Sequence, residues 1–306
     1  MVNLMKPASR SPIAANECRI VHPRFRGSEH HLTMDSAGSD HLFRKIAFVL
    51  ASTDHGTMIV NRFDYQMVQG GGFGVGFKIL NESSHELGEI SVGALVLDLR
   101  RKFAGDGVVA LDCGANIGTH TVSWARQMTG WGSVIAIEAQ ERIYYALAGN
   151  VAINNCFNTR LIHAAAGDRN GIMKIPDLDY LVPTSFGSLE LKPANHPELI
   201  GQDVDYADAK LVPVSAMTID SLALKRLDFL KIDVEGMECE VLEGAKRTIR
   251  HSLPVILVEH IKTGSENIVK FLKHYGYHMD GVGLNILAVH PSDKTTEGFG
   301  TSIRSQ

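Results

Sequence analysis

The chain has no apolar run of the roughly 18 residues that a membrane span needs, and its first residues, Met1 to Pro7, hold no apolar signal core. A cytoplasmic protein with no membrane partner is expected. Positive charge is not in excess either: 30 Lys and Arg stand against 34 Asp and Glu, a net charge of −4. No electrostatic footprint for nucleic acid is present, so no nucleic-acid partner is expected. Cysteine is sparse, and Cys18, Cys113, Cys156 and Cys239 make neither a C-x-x-C pair nor a zinc spacing. Reduced thiols are the expected state, with Cys113 packed as a small hydrophobe. Two nucleotide signatures are missing as well. There is no G-x-G-x-x-G dinucleotide fingerprint and no Gly-Lys-Ser/Thr P-loop.

What is present is an ordinary globular composition, 44% hydrophobic and 21% charged over 306 residues, enough for one α/β domain with an N-terminal extension. Residues 1–55 read as that extension. Residues 1 to about 40 lack periodicity and read as loosely ordered, His30-His31 as a polar segment rather than a metal site, and His41 to Ser52 as a short amphipathic helix. Residues 56–105 read as a cap region. It holds a strand from Thr57 to Asp64, a glycine-dense hairpin or hinge from Gln69 to Gly76, and a helix from Glu86 to Phe103 with Leu87, Ile90, Ala94, Leu95, Val96 and Leu99 on one face.

From Val108 onward strands and helices alternate. Strands are expected to Asp112 and over 133–138, 159–165, 227–233 and 254–260, with helices over 118–129, 141–154, 236–249 and 265–275. Closing strands at 277–281 and 284–290 form a hairpin-type finish with one antiparallel member. This is the βαβ pattern of a doubly wound parallel sheet over residues 106–292. It is interrupted at about 168–215 by a proline-rich insertion containing β-like pieces such as Ser185 to Leu191, a candidate substrate lid. Residues 293–306 read as a flexible tail.

The most informative stretch is Val108-Val-Ala-Leu-Asp-Cys-Gly-Ala-Asn-Ile-Gly118. An apolar strand ends in Asp112, and a turn of small residues, Gly114, Ala115, Asn116 and Gly118, leads into a helix. Such a turn lets a backbone approach a ligand at the carboxyl edge of the sheet. An acid at the strand end suits a cationic ligand, so Asp112 points to the amino or sulfonium group of S-adenosylmethionine rather than to a pyrophosphate. The next strand also ends in a carboxylate, Glu138, placed to accept both hydroxyls of a ribose.

A second constellation closes the strand Asp228-Phe-Leu-Lys-Ile-Asp233, followed by Val234 and Glu235. Methylation of an alcohol requires a proton to leave as the new bond forms, and positioned carboxylates supply that chemistry. Asp233 is the first candidate for base or substrate anchor and Glu235 the second; turn hydrogen bonds and helix capping are the structural alternatives. Asp233, Glu235 and Glu259 lack an ordered metal-ligand spacing, so no metal is expected. His120 and His260 are further candidates at the same edge, and Tyr180, Ser185 and Phe186 in the insertion are candidates for shaping an acceptor pocket.

Together, Asp112-Cys-Gly-Ala-Asn-Ile-Gly118 with Thr121, Val134 to Glu138, Asn150 with Asn154-Asn155, Ala165 to Asp168, Thr218-Ile-Asp220, and Lys231 to Gly236 with Glu238, Leu242, Gly244 and Ala245 resemble the FkbM family of S-adenosylmethionine-dependent methyltransferases. The resemblance runs from about residue 86 to 290. It implies the class I methyltransferase fold, a Rossmann-like doubly wound seven-stranded sheet with an antiparallel last strand, and O-methylation of a hydroxyl on a sugar or polyketide-type natural product. Carried over by position, Asp112, Gly114, Asn116 and Gly118 would line the methionine end of the cofactor and Glu138 the ribose. Ala166, Gly167 and Asp168 would lie on the adenine side, and Glu86 would help close the site. Cys113 stands where valine is usual and Ala139 where proline often follows; neither change removes a polar contact. A non-catalytic S-adenosylmethionine-binding scaffold and a nicotinamide-dependent oxidoreductase are the competing readings. The acceptor, and whether the protein is a monomer or homodimer, stay open.

Overall fold

The computed structural model describes residues 45–193 and 198–297. The readings of residues 1–40, His30-His31 and Cys18, and of the tail from 298 onward, lie outside the described residues. The described part begins with an antiparallel hairpin, β1 (Phe48–Thr53) and β2 (Gly56–Asn61), followed by a small hairpin, β3 (Gln66–Val68) and β4 (Gly71–Phe73), and helices α1 (Val75–Glu82) and α2 (Leu87–Ala104). β5 (Val108–Cys113), α3 (Thr119–Gln127), β6 (Gly132–Glu138), α4 (Glu141–Ile153) and β7 (Thr159–His163) follow. The short β8 (Ala165–Ala166) comes next, and the insertion then contributes β9 (Gly171–Pro176) and β10 (Leu211–Met217). The remainder is β11 (Phe229–Ile232), α5 (Glu238–Gly244), α6 (Lys246–Ser252), β12 (Val255–Glu259), α7 (Ser265–His274), β13 (His278–Val282) and β14 (Asn285–Val289).

The 7-stranded sheet has the order β13-β14-β12-β11-β5-β6-β7, parallel except for β14, which runs antiparallel to both neighbours. Its central strands are apolar nearly throughout because helices cover both faces. Side chains alternate between two cores. Phe229, Val255 and Leu257 join Trp124, Leu97 and Val122 beneath α2 and α3, whereas Leu230, Ile256 and Val258 join Val241, Ile249 and Leu272 beneath α5, α6 and α7. β5 is the first strand of the sheet in chain order and is flanked by β6 on one side and β11 on the other. The order therefore reverses at β5, and the crevice beyond β5 and β11 is where a doubly wound sheet binds its ligand. Among the described residues no helix is long and apolar enough to cross a membrane, and Cys113, Cys156 and Cys239 are free thiols.

Several local expectations are corrected. The described part of His41 to Ser52 is extended, not helical, because β1 pairs with β2, whose Met58 and Val60 are fully buried; a short apolar run does not fix its own period. The hairpin also straddles the boundary placed at residue 55. Ser185 to Leu191 contains a 3-10 turn, Phe186–Ser188, instead of a β piece. The strands of the insertion are β9 and β10. The prolines concealed β10, but β8 pairs only with Ala216 and Met217, so Pro213 meets an open edge where its missing N–H costs nothing. The helix expected over 236–249 is two helices broken at Ala245. Gly244 there lies so close to the Gly167 carbonyl that a Cβ would sit 2.0 Å from its oxygen. The start of the tail is held: Asp293 pairs with Arg100 at 2.6 Å, and Thr295 is fully buried in the 3-10 turn Lys294–Glu297.

Candidate active site

Beyond β5 the backbone turns so tightly against the end of β11 that a Cβ on Gly114 (φ 80°) would lie 1.7 Å from the Asp233 carbonyl oxygen. Only glycine fits, and the turn is fixed by Gly114 and Ala115 N–H groups that both donate to the Ile137 carbonyl at 3.0 Å. Asn116 takes a left-handed conformation (φ 49°) and donates its backbone N–H to Glu138 Oε2 at 2.9 Å. Glu138 Oε1 accepts from the Gln140 N–H at 2.7 Å. Burial pushes the Glu138 carboxyl up to about 7 against the pull of these N–H donors, leaving a poised acceptor at the end of β6.

Behind the turn Asp112 is wholly buried. Its Oδ2 accepts from Thr121 Oγ1 at 2.6 Å, while Oδ1 has no hydrogen bond and lies 4.0 Å from Lys231 Nζ. Lys231, 2% exposed inside β11, donates to Asp233 Oδ2 at 2.9 Å. Burial disfavours its charge, but Asp233, Asp112 and Glu86 outweigh that and hold the ammonium firmly protonated.

At the opposite wall Glu86, left-handed at φ 52°, places Oε2 3.5 Å from His85 Nδ1 and 3.7 Å from His120 Nδ1. Burial, followed by the Lys231 charge, pulls His85 down to about 4 and His120 well below the ordinary histidine range, so both rings are neutral. Burial raises Glu86 to about 7. Past β11, Glu235 (φ 53°) pairs with Lys262 Nζ at 2.8 Å. Carboxylate oxygens of Asp233, Glu235 and Glu259 lie within 4.8 Å of one another. Lys231 and Lys262 are the counter-charges of two of these.

One cavity joins these groups. Glu86, Gly114, Asn116, His120, Glu138, Ala166, Asp233 and Glu235 line it, as do Ser185, Gln140, His85 and Glu259. Asp112 stands behind the wall, and Gly118 starts α3 against Leu147. Gly167 turns to Met217 and Gly244, and Asp168 pairs at the surface with Arg169 at 3.1 Å. His260 is half-exposed and gives its backbone N–H to the Leu284 carbonyl. None of these last five lines the cavity. In the insertion Tyr180 Oη donates to Gln140 Oε1 at 3.1 Å and Gln140 Nε2 to the Phe186 carbonyl at 2.8 Å, so Tyr180 and Phe186 brace the roof. His85, Gln140, Lys231 and Lys262 were missed by sequence reasoning, and Glu259 entered it only as a third acid. Lys231 alone left a signal, a cation inside an apolar strand between two acids.

A sheet of this order, with ligand-binding turns at the ends of β5 and β6, defines the class I S-adenosylmethionine-dependent methyltransferase fold. Residues 112–279 match the model of the Methyltransferase FkbM domain, and the chain belongs to that family. Its cofactor is S-adenosyl-L-methionine. The residues fit this group: the glycine-only turn at Gly114 leaves open backbone, Glu138 is a carboxyl acceptor at the ribose position, and the carboxyls of Asp112 and Glu86 suit a cationic methionine end. Among solved structures, the methyltransferase FkbM from Methylobacillus flagellatus KT is 16% identical, with a TM-score of 0.42 over 60% of this chain and 44% of that one. The chain thus spans under half the length of that protein. TYW2 from M. jannaschii, in complex with AdoMet, is 14% identical with a TM-score of 0.40 over 81% and 86% of the two chains. The Pyrococcus abyssi tRNA (uracil-54, C5)-methyltransferase, in complex with S-adenosyl-L-homocysteine, is 13% identical with a TM-score of 0.40 over 79% and 44%. No curated protein matches the chain.

Proposed function

We propose that this chain is an O-methyltransferase acting on a hydroxyl of a small-molecule acceptor, a sugar or polyketide-type natural product. The observation that carries the reading is the single cavity that runs from Asn116 and Glu138 to the carboxylates at the ends of β11 and β12. Carboxylates are acceptors for hydroxyl donors, and a wall of them beside a methyl donor's cradle suits a polyhydroxylated partner. Residues 106–292 form the cofactor domain in this reading, 56–105 its cap, and the insertion of about 168–215 its substrate lid.

The bound cofactor supplies an electrophilic methyl group on a sulfonium. Glu138 would hold the ribose, with Ala166 on the adenine side, while Glu86, Asn116 and the Gly114 turn line the methionine end and Asp112 acts on it from behind the wall. Asp233, kept in place by Lys231, accepts the acceptor's hydroxyl and orients it. That restriction converts an encounter of free molecules into an oriented attack, which lowers the barrier to such a displacement.

The test is incubation of the chain with S-adenosylmethionine and a library of sugars and polyketide aglycones. Expected are S-adenosylhomocysteine and a product heavier by one methylene, with the methyl on oxygen. Binding of S-adenosylmethionine with no methylated product in any fraction favours the scaffold reading. Tighter binding of NAD favours the oxidoreductase.

A further inference from the structure

We infer that Glu259, at the end of β12, receives the acceptor's proton; the inference rests on the methyl-transfer reading above. Three carboxylates meet at the strand mouth, Asp233, Glu235 and Glu259, all within 4.8 Å and all lining the cavity. Two of them are engaged. Asp233 Oδ2 is bonded to Lys231 at 2.9 Å and Glu235 Oε2 to Lys262 at 2.8 Å. Among the described residues the Glu259 side chain has no hydrogen bond and no ion pair. The bond that its cross-strand neighbour Asn285 makes from its side-chain amide goes to Glu89 Oε1 at 2.7 Å.

Asp233 is already bonded to an ammonium, which suits it to orienting a hydroxyl. Burial and the Asp233 charge raise the neighbouring Glu235 well above the ordinary carboxyl range, but its Oε2 is bonded to Lys262. The unpaired carboxylate beside them is the stronger base. The groups facing Glu259 reinforce the contrast. Burial first, and then Asp233, Glu238 on α5 and Glu86 at the start of α2, raise it to about 8, and Lys231 on β11 only partly opposes them. The histidines of the cavity are weaker bases, since His85 and His120 are too acidic for a proton to rest on them. In the step, the acceptor oxygen forms its bond to the methyl carbon as the carbon–sulfur bond breaks, and that electron pair stays on sulfur. The O–H proton passes to Glu259. The products are a methyl ether, a neutral thioether and a protonated Glu259, so atoms and charge balance.

Because Glu259 must be deprotonated to act, turnover rises with pH through about 8. The experiment uses the full chain with S-adenosylmethionine, with methyl glucoside and inositol as hydroxyl probes, and follows S-adenosylhomocysteine in single turnovers from pH 6 to 9.5. Wild type, Glu259→Gln, Glu259→Asp and Asp233→Asn are compared. In parallel, the Glu259 side-chain carboxyl of ¹³C-labelled protein is titrated by NMR, its signal assigned by its loss in Glu259→Gln.

Expected are a carboxyl titration near 8 and a loss of about 10²–10⁴ in rate in Glu259→Gln, with the rise with pH abolished. Glu259→Asp retains that rise at a lower rate, and Asp233→Asn is slow but keeps it. A Glu259→Gln rate near wild type, persistence of its pH dependence, or titration of Glu259 in the ordinary range near about 4.3 overturns the inference. Wild-type silence toward both probes counts against the hydroxyl reading itself. The NMR titration still tests Glu259 separately, since it needs no acceptor: titration in the ordinary range overturns the inference whatever the probes do.

Discussion

Lys231 and Asp233 stand two residues apart at the end of β11, so their side chains project to the same side, and the lysine Nζ lies 2.9 Å from Asp233 Oδ2 and 4.0 Å from Asp112 Oδ1. One buried cation thus ties the turn after β5 to the turn after β11, the two that frame the cavity. Breaking a buried pair by removing one partner costs about 3–5 kcal/mol, because the remaining charges are left uncompensated. Lys231→Met is expected to lose stability of that order at pH 7. Burial already raises Asp112, and Lys231 opposes the rise; without the lysine Asp112 takes up a proton more readily in the folded state than in the unfolded one. Such a group gives stability that is present at low pH and lost as pH rises through its folded pKa. The deficit of Lys231→Met in urea unfolding is therefore smaller at pH 5 than at pH 7, and an equal deficit at both would show that the loss is one of packing.

Cofactor affinity should follow Glu138. Its folded pKa of about 7 means that near neutrality about half of the molecules carry the carboxyl protonated, and ribose hydroxyls are better held by the anion. S-Adenosylhomocysteine affinity is expected to rise from pH 6 to 8 by calorimetry. Glu138→Gln should lose this pH dependence and about 1.5–3 kcal/mol of binding. A flat wild-type profile would mean that the ribose is held elsewhere.

Asp64 tests the linkage in the cap. It is buried beneath the roof, where its two oxygens accept the Gly76 N–H at 3.0 Å and the Phe186 N–H at 3.1 Å, and burial raises it to about 7. A raised carboxyl stabilises the fold below the unfolded pKa, and the contribution is lost as pH rises toward 7. The melting temperature of the wild type minus that of Asp64→Asn is thus expected to fall between pH 4 and 8. A constant difference would remove Asp64 from the pH response.

The parallel sheet and its helices were legible because buried strands such as Val108 to Cys113 and Gly132 to Glu138 are continuous apolar runs, each ending at a small residue or an acid. Those acids marked Asp112, Glu138 and Asp233. Contacts made across distant segments left no local pattern. Lys262 reads as a loop lysine until the fold sets it against Glu235 and the insertion, and Glu259 reads as one acid among many until Asp233 and Glu235 are seen to have partners. Gly167 and Asp168 follow a motif in sequence, yet the fold turns one toward α5 and the other to solvent. The β1 error has the same origin: a short apolar segment takes its period from what it pairs with, and that partner lay in the next strand.

The insertion is pinned to the core at two lysines, and this gives the lid reading its test. Lys262 Nζ donates to the Ser188 carbonyl at 2.6 Å and lies 3.2 Å from Glu198 Oε2 and 2.8 Å from Glu235 Oε2, while Lys192 pairs with Glu240 on α5 at 2.8 Å. Ser188 and Ser185 line the cavity, so a segment freed at Lys262 opens the site from above. Charge-assisted bonds of this kind contribute about 1.5–3 kcal/mol each at most, and lid motions belong to the weakly held end of a structure. Lys262→Ala is therefore expected to speed S-adenosylhomocysteine dissociation by about tenfold, the equivalent of roughly 1.4 kcal/mol, with little change in the association rate. Cleavage by a nonspecific protease near Ser188 should quicken in the free variant and slow again when S-adenosylhomocysteine is bound. If dissociation and cleavage both match the wild type, the insertion is a fixed roof, and access to the cavity must be governed from the α1 side, where Gly74, Val75 and Lys78 form the facing wall.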